Sequence, residues 1–232
     1  MKVSIVIPAY NEESTIKEII ARAEAAPFGF DAERELIVIN DGSDDGTRKL
    51  LDEISGITVI NFENNIGKGA ALKAGFQRAT GNIVLVQDAD LEYDPADYIR
   101  LLGPFIDKQD KADVVYGSRF RGESRRIVYF WNDLGNRLLT FLSNMLMGLN
   151  LTDMETGYKA FRGEVIRHIA PTLKSKRFGI EPELTAKVAK GKWRLYEVPI
   201  KYHGRTYEEG KKIGWRDGIQ AIGVIVYFKF FD

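Results

Sequence analysis

The chain has 232 residues and a hydrophobic fraction of 44%, enough for one large domain or two small ones with a proper core. It contains no cysteine, which excludes disulfides and thiolate metal sites, and its only histidines are His168 and His203. Carboxylates are therefore the default ligands for any metal. Residues 1–13 lack the long apolar centre of a secretory signal, which predicts a cytoplasmic protein.

The net charge of zero conceals an asymmetry between the two halves of the chain. Residues 1–116 carry 12 Lys and Arg against 21 Asp and Glu, a balance of −9, and residues 117–232 carry 21 against 12, a balance of +9. A basic second half predicts a surface that faces anions such as phosphates, anionic lipid head groups or nucleic acid. The alternative is two solvated faces of opposite sign.

The first half alternates short apolar strands with helical segments, and this alternation predicts a parallel α/β sheet. Strands are predicted at 3–7, 36–39, 57–60 and 83–87, and helices at 14–26, 45–54 and 69–79. Ligands of such sheets bind beyond the carboxyl ends of the strands. The polar clusters that follow these strands, at 8–12, 40–43 and 88–90, are therefore the candidate site.

In the second half, strands are predicted at 114–116 and 193–200, and long helices at about 128–147 and 215–231. Neither helix is predicted to span a membrane, because spanning needs about 20 predominantly apolar residues and polar side chains interrupt both. Apolar helices flanked by Arg and Lys fit a membrane interface better. The residues of the terminal helix that would meet the bilayer are Ile219, Ile222, Val226 and Phe230. The alternative is that both helices belong to the core.

The strongest local signal is Asp-Ala-Asp-Leu-Glu at 88–92, directly after an apolar strand. Alternate side chains of an extended segment point to the same side, so Asp88, Asp90 and Glu92 can converge on one point. Three carboxylates would repel one another there unless a cation lay between them. Mg²⁺ or Mn²⁺ takes such oxygen ligands and completes its shell with substrate phosphates. The alternative is a capping cluster ahead of a helix that begins near Pro95.

Asp41, at the end of another strand, is a candidate acceptor of hydrogen bonds from a base or a ribose. The small residues beside it let a ligand approach the backbone closely. Turn and helix-cap chemistry is the alternative. Asn-Asn-Ile-Gly-Lys-Gly at 64–69 is a candidate phosphate nest, although it lacks the spacing of a nucleotide triphosphatase loop.

Taken together, these clusters resemble the family-2 glycosyltransferases of the GT-A fold, and the match runs through almost the whole chain. It rests on Ser-Ile-Val-Ile-Pro-Ala-Tyr-Asn-Glu at 4–12, Asn-Asp-Gly-Ser at 40–43, Asn-Ile-Gly-Lys-Gly at 65–69 and Asp-Ala-Asp at 88–90. The resemblance implies an α/β fold with a Rossmann-like, mostly parallel central sheet flanked by helices. The donor-binding residues that it implies are Pro8, Tyr10, Glu12, Asp41, Lys68, Asp88, Ala89 and Asp90.

The second half is similar to the branch of this family that makes polyprenyl-phosphate or dolichyl-phosphate hexoses. Gly-Ser-Arg at 117–119, Asp-Met-Glu-Thr-Gly-Tyr-Lys at 153–159 and a loop at 205–212 carry this resemblance. It implies that Arg119 contacts the acceptor phosphate and that the loop, with Arg205 and Lys211, closes over donor and metal. Arg205 and Arg137 are further candidates for holding the acceptor phosphate, since the planar fork of Arg suits it.

These motifs predict an inverting glycosyltransferase that moves mannose or glucose from GDP-mannose or UDP-glucose to a polyprenyl or dolichyl phosphate. Its cofactor would be Mg²⁺ or Mn²⁺, held by Asp88, Asp90 and Glu92. A phosphate monoester has a second pKa near ~6, so at neutral pH it is already a nucleophile and hardly needs a protein base. The predicted catalytic residues are Asp90, Arg119, Asp153 and Arg205.

The chain is predicted to form a single domain. Its donor-binding half would be 1–116, its acceptor-binding half 117–212 and its terminal helix 213–232. The predicted partners are a nucleotide sugar, a polyprenyl phosphate and a membrane surface, with no nucleic acid. The protein would then be peripheral, at the cytoplasmic face of a membrane.

Three alternative functions are compatible with parts of the sequence. A family-2 enzyme acting on a sugar or lipid hydroxyl would need a general base, for which Asp153 is the best candidate by position. A nucleotidyltransferase also combines α/β strands with a metal, but no Gly-rich basic turn follows the first strand. A nonenzymatic module for nucleotide or nucleic acid is disfavoured by the acidic clusters at the strand ends.

Overall fold

A computed structural model describes residues 1–122, 130–204 and 215–231 of the chain. Its strands are β1 (Lys2–Ala9), β2 (Glu33–Asn40), β3 (Thr58–Asn61), β4 (Ile83–Val86), β5 (Val114–Ser118), β6 (Lys159–Arg162) and β7 (Leu195–Pro199). Within the described residues they form one sheet in the order β3-β2-β1-β4-β6-β5-β7. Strand β6 runs antiparallel to both of its neighbours, and the other pairs are parallel.

Helices cover both faces of this sheet. They are α1 (Ile16–Ala25), α2 (Thr47–Asp52), α3 (Lys68–Arg78), α4 (Tyr98–Ile106), α5 (Phe130–Met147), α6 (Gly163–Ile169), α7 (Ile180–Lys190) and α8 (Trp215–Phe230). Alternate residues of β1 divide between the two faces. Ile5 and Ile7 join the core beneath α1 and α4, whereas Val6 joins the core beneath α3, α6 and α7. Because both faces are buried, β1 and β4 read as continuous apolar runs.

The predicted elements of the first half are all present, with ends that differ by a few residues. In the second half, β6, α6 and α7 were not predicted. Strand β6 is only Lys-Ala-Phe-Arg, and its Lys159 is 1% exposed, so it shows no apolar run. The helix expected near Pro95 begins with a short 3₁₀ turn at Pro95–Asp97, and the residue that caps it is Asp94, not Asp88 or Asp90.

The terminal helix α8 has a core face and an exposed face. Ala221, Ile225 and Phe228 are buried against α5 and α7. Three apolar residues that were predicted to meet a bilayer, Ile222, Val226 and Phe230, are exposed. The Ile219 side chain lies outside the described part of the structure. No helix among the described residues is long and apolar enough to cross a membrane.

Helix α5 is likewise apolar on its exposed side. It buries Leu139, Thr140 and Ser143. Its exposed large apolar residues are Phe130, Trp131, Leu134, Leu138, Phe141 and Met145. The spacing of the last four residues places them on one side of the helix. Each of these two helices therefore has one face that packs in the core, as one alternative predicted, and one exposed apolar face, as the other alternative predicted.

Candidate active site

The loops that follow β1 and β2 are tied together at the carboxyl edge of the sheet. Asn11 adopts a left-handed conformation with φ 54°, and its side-chain amide donates to Asp44 at 2.6 Å. The backbone N–H of Glu12 donates to Thr47 Oγ1 at 2.9 Å. Pro8 and Tyr10 are half-buried at this edge, and Glu12 is buried. The three residues expected to border the base, Pro8, Tyr10 and Glu12, thus lie at the same edge of the sheet.

Asp41 holds the loop between β3 and α3. Its carboxylate accepts hydrogen bonds from the backbone N–H groups of Ile66 and Gly67, each at 2.8 Å, and from the Asn65 amide at 2.9 Å. Burial raises the pKa of Asp41, although these backbone donors oppose the shift. Gly42 has φ +66°, and a Cβ there would lie 2.3 Å from the Asn64 backbone, so only glycine fits. The clusters at 40–43 and 64–69 are therefore one structure.

Lys68 and Asp88 form an ion pair where α3 begins and β4 ends. Lys68 Nζ lies 2.8 Å from Asp88 Oδ1 and 3.0 Å from Glu181 Oε1, at the start of α7. Burial alone would lower the pKa of Lys68, but the charges of Asp88 and Glu181 outweigh it and raise the pKa well above its usual value. A Cβ on Gly157 would lie 2.2 Å from Asp88 Oδ2, so the loop before β6 packs directly on this pair.

The expected convergence of Asp88, Asp90 and Glu92 is not found. Among the described residues, no three His, Asp or Glu side chains gather as a potential ligand set. The chain turns after β4, and Leu91 has φ 60°, so the segment is not extended and its side chains do not alternate. Asp88 faces Lys68, and Glu92 accepts a hydrogen bond from Tyr202 Oη at 2.8 Å.

The remaining donor set still fits a hard divalent cation. Mg²⁺ is usually held by one or two carboxylates together with substrate phosphates, not by an all-protein cage. Asp88 and Asp90 lie at the end of β4 on either side of the buried Ala89, and both supply carboxylate oxygens. Glu92 is not needed for such a set.

Arg119 and Asp153 form the second ion pair of the site, just beyond β5. Arg119 Nε and Nη2 donate to the two carboxylate oxygens of Asp153, each at 2.7 Å, and the Arg119 backbone N–H adds a third bond at 3.0 Å. The Asp153 side chain is fully buried, and that of Arg119 is 12% exposed. Such a two-pronged pair fixes the plane of the guanidinium.

Tyr202 connects the Arg119–Asp153 pair with the loop after β4. The Arg119 guanidinium lies over its ring, 5.2 Å from the centroid, while its hydroxyl donates to Glu92. Tyr202 also forms an isolated bridge with Tyr93, whose hydroxyl accepts from the Gly157 N–H at 3.0 Å. The carboxylate loop after β4 and the arginine after β5 are therefore neighbours.

An open groove of about 380 Å³ runs along α5, and its lining includes Phe120, whose ring centre lies 5.9 Å from the Arg119 guanidinium. Its lining residues are Phe120, Arg137, Thr140, Phe141, Asn144, Leu151 and Thr152. The Arg137 guanidinium lies 5.0 Å from the centre of the Phe120 ring and pairs with Asp133 at 2.8 Å. Phe141 is 65% exposed and belongs both to the groove and to the apolar side of α5.

A family profile decides the identity of the chain. The profile described as "Glycosyl transferase family 2" matches residues 4–170. The chain belongs to this family. Among similar curated proteins, the undecaprenyl-phosphate mannosyltransferase of Micrococcus luteus is 31% identical, over 97% of this chain and 93% of that protein. The UDP-N-acetylglucosamine–dolichyl-phosphate N-acetylglucosaminyltransferase of Methanococcus voltae is 28% identical, over 85% of this chain and 84% of its own.

Solved structures confirm the fold of this family-2 glycosyltransferase. Glucosyl-3-phosphoglycerate synthase from Mycobacterium tuberculosis, in complex with Mn²⁺, UDP and phosphoglyceric acid, superposes with a TM-score of 0.73. It is 22% identical in sequence, and the match covers 100% of this chain and 79% of that one. The predicted α/β architecture of the GT-A type is thereby confirmed.

Several polar residues of the glycosyltransferase site were not predicted from its sequence. Glu181 lies in the unpredicted helix α7, and Lys159 lies in the unpredicted strand β6. Lys159 Nζ donates to the Met154 carbonyl at 2.9 Å, and burial lowers its pKa to about 8. Burial, reinforced by Glu181, raises the pKa of Glu155 to about 8. The concentration of charged residues within 153–159 is the sequence feature from which this buried cluster could have been predicted.

Two predicted site residues of the glycosyltransferase cannot be placed. Arg205 and Lys211 lie outside the described residues. Arg137 is close to Phe120, but its side chain is 57% exposed on α5. Of the predicted arginines, Arg119 alone is described both as buried and as paired within the site.

Proposed function

We propose that this enzyme transfers a hexose, mannose or glucose, from GDP-mannose or UDP-glucose to the phosphate of a polyprenol. The observation that carries the proposal is the position of Arg119. On one side, Tyr202 links it to the carboxylate loop after β4. On the other side, the adjacent Phe120 opens the groove that leads to the apolar side of α5. An anion at Arg119 would have the donor on one side and an apolar channel on the other, which suits a phosphate with a hydrocarbon tail.

The donor would bind at the edge formed by β1, β2 and β4. Pro8, Tyr10, Glu12 and Asp41 would face the nucleoside, while Lys68 and Asp88 to Asp90 would face the pyrophosphate. A Mg²⁺ or Mn²⁺ ion at Asp88 and Asp90 would supply Lewis-acid stabilisation of the leaving nucleoside diphosphate. The role of the protein is to hold donor and acceptor in line, which reduces the entropic cost of the reaction.

The acceptor would be held by Arg119, with Arg137 nearer the groove. Two of the five N–H groups of Arg119 donate to Asp153, and the other three would donate to phosphate oxygens. A phosphate monoester is mostly a dianion at neutral pH, so no side chain has to remove a proton from it. In-line attack would invert the anomeric carbon, giving a β-linked product from an α-linked donor.

The geometry favours this acceptor over a hydroxyl acceptor. A hydroxyl would need a general base within reach of its proton, and Asp153 was the candidate. Both oxygens of Asp153 accept hydrogen bonds from Arg119, and the side chain is fully buried. Asp153 is better placed to orient Arg119 than to receive a proton from a substrate.

The enzyme would work as a peripheral protein on a membrane surface. We define the apolar face as Leu134, Leu138, Phe141 and Met145 of α5 with Ile222, Val226 and Phe230 of α8, all of them exposed. The two helices pack against each other. Large exposed apolar patches on a monomer mark interaction sites. Because the groove runs along α5 to this face, a lipid tail could pass from the site into a bilayer.

A donor screen tests the proposal. The full chain is incubated with a short polyprenyl phosphate, Mn²⁺ or Mg²⁺, and in turn GDP-mannose, UDP-glucose and UDP-N-acetylglucosamine. We expect a hexosyl polyprenyl phosphate from one of the first two donors and none from the Asp90→Asn variant. If UDP-N-acetylglucosamine alone gives a product, the assignment of the acceptor stands, but the assignment of mannose or glucose as the transferred sugar is wrong. No product from any donor would count against the acceptor.

A further inference from the structure

Lys68 has two acidic partners that come from opposite sides of the site. Its Nζ lies 2.8 Å and 3.0 Å from the two oxygens of Asp88, and 3.0 Å from Oε1 of Glu181. Asp88 follows β4, whereas Glu181 lies in the first turn of α7. The side chains of all three are mostly buried, with Glu181 only 7% exposed.

This arrangement conflicts with a divalent cation on Asp88. The ammonium group already occupies both oxygens of that carboxylate, and a second cation on the same oxygens would lie within a few ångströms of it. Repulsion between cations at such a distance is strong where water is largely excluded. Lys68 must therefore give up Asp88 when the cation binds, or it will compete with the cation.

Glu181 has a vacant acceptor for the displaced ammonium. Its Oε2 is buried and has no hydrogen-bond partner among the residues that the structure describes, whereas its Oε1 already contacts Lys68. An unsatisfied buried carboxylate oxygen is costly, so an arriving donor would stabilise it. A rotation of the Lys68 side chain would exchange the bonds to Asp88 for a bond to this oxygen, without moving the backbone.

We propose that Glu181 is a positioning residue that receives Lys68 when a divalent cation binds Asp88. The inference rests on the proposed function, because a cation at Asp88 is part of it. Glu181 keeps the ammonium group beside the donor phosphates and away from the oxygens that the cation needs. Without the charge of Glu181, Lys68 remains on Asp88 and opposes cation binding.

A double-mutant cycle on the full chain tests this role. Mn²⁺ affinity is measured by electron paramagnetic resonance, with UDP and separately with GDP, for the wild type, Glu181→Gln, Lys68→Met and the double variant. We expect Glu181→Gln to weaken Mn²⁺ binding by about tenfold when Lys68 is present, and by no more than about twofold in the Lys68→Met background. Residues that act through one another show this non-additivity.

Two controls separate the role from a loss of fold. Cooperative thermal unfolding should show that all four proteins are folded at the assay temperature, and metal-free UDP or GDP binding by Glu181→Gln should be similar to that of the wild type. Glu181→Asp keeps the charge, so its Mn²⁺ affinity should fall nearer to the wild type than that of Glu181→Gln. If Glu181→Gln does not fold, Glu181→Leu, which also removes the charge, takes its place in the cycle.

The outcomes distinguish this inference from the proposed function. Equal weakening in both backgrounds, or an unchanged Mn²⁺ affinity in Glu181→Gln, overturns the role of Glu181 and leaves the proposed function intact. Absence of Mn²⁺ binding by the wild type with either nucleotide overturns both.

Discussion

Asp90 and Glu92 are only two residues apart, yet the turn after β4 gives them different surroundings. The Glu92 carboxylate accepts a hydrogen bond from Tyr202 Oη, and its carbonyl accepts one from the His203 backbone N–H, so Glu92 ties two loops together. Asp90 accepts a hydrogen bond from the Glu92 backbone N–H at 3.2 Å and lies two residues beyond Asp88 at the edge of the sheet. The two carboxylates should therefore differ sharply in their importance for the reaction.

Asp90→Asn is expected to abolish transfer, because a cation ligand loses its charge at a position outside the core. The rate is measured with saturating donor and Mn²⁺, beside the matched variant Glu92→Gln. A loss of ~1.4 kcal/mol in transition-state stabilisation is tenfold in rate. We expect more than that for Asp90→Asn and a clearly smaller loss for Glu92→Gln. More than about a tenth of wild-type turnover in Asp90→Asn would falsify the assignment.

Arg119→Ala is expected to weaken polyprenyl phosphate far more than nucleotide sugar. Loss of one partner of a buried charged pair costs roughly 2–5 kcal/mol, in part through the partner left unpaired. Dissociation constants for donor and acceptor are measured separately. Arg119→Ala also leaves the buried Asp153 carboxylate without the Arg119 guanidinium. Arg119→Lys is therefore made in parallel, because it keeps the positive charge but removes the planar two-pronged donor group. Equal losses for donor and acceptor in both variants contradict the role of Arg119.

The raised pKa of Glu155 predicts that the stability of the folded chain depends on pH. The pKa of Glu155 is raised to about 8 in the folded chain, chiefly by burial, against an ordinary value of 4.5. Between these two values the folded state holds a proton that the unfolded state lacks, so stability falls as pH rises from about 5 to 8. The lowered pKa of Lys159 makes stability vary with pH only above about pH 8, so it does not contribute to the change between pH 5 and pH 8.

Glu155→Gln removes this titration. The Tm of the variant, relative to the wild type, should therefore rise steadily between pH 5 and pH 8, where a change of about 1 kcal/mol corresponds to about 2–4 °C. Calorimetry at four pH values in one ionic strength measures the trend. A difference in Tm that does not vary with pH means that Glu155 does not hold a proton in the folded state.

The site residues that sequence reasoning found are those that directly follow strands. Asp88 and Asp90 were located because the carboxyl ends of parallel strands meet at one edge, and Arg119 was located through the resemblance of its Gly-Ser-Arg motif. Glu181, which pairs with Lys68, lies in α7, and Tyr202, which contacts Arg119, lies in a bridge beyond β7. Their sequence neighbourhoods show neither an apolar run nor a known spacing, so nothing local connects them with the site.

At the scale of elements, the parallel half of the sheet was predictable and the antiparallel insertion was not. Strands β1, β2 and β4 are apolar on both faces because helices cover both. Strand β6 is paired on both sides yet is only four residues long, and Lys159 within it is stabilised by the carbonyls of Met154 and Thr156. Tertiary contacts stabilise β6, and a pattern in one segment cannot reveal them.

The exposed side of α5 and α8 is where the membrane prediction can be tested. Leu138→Gln with Phe141→Gln should reduce binding to anionic vesicles in a sedimentation assay and leave the Tm within about 2 °C, since both side chains are exposed. Binding of the wild type should weaken at high salt without vanishing, because insertion of apolar side chains is not screened.

The control for this prediction is Ile225→Ala on the buried side of α8. Ile225 is fully buried, so this variant should lose stability, by about 2–5 kcal/mol, and keep its vesicle affinity while folded. Truncation after Gly218 is unsuitable, because it also removes the buried Ala221 and Phe228. If the α5 variant binds vesicles as well as the wild type does, another part of the chain makes the membrane contact.

At the scale of the whole molecule, the charge asymmetry agrees with a division of labour along the chain. The half with a balance of −9 contains the carboxylates at the ends of β2 and β4, and the half with +9 contains Arg119, Arg137 and the apolar face. A cation and a nucleotide on the first half would meet an anionic acceptor held by the second. The two halves share one sheet, since β6 pairs with β4 as well as with β5.

The central claim is that the acceptor group is a phosphate, and a matched pair of acceptors tests it most directly. The enzyme is given its best donor, Mn²⁺ and either a short polyprenyl phosphate or the polyprenol of the same length. Mass spectrometry identifies the product, and proton coupling at the anomeric carbon gives its configuration. We predict a β-linked sugar phosphodiester from the phosphate and no product from the alcohol. Transfer to the polyprenol hydroxyl, with the phosphate inert, would contradict the account.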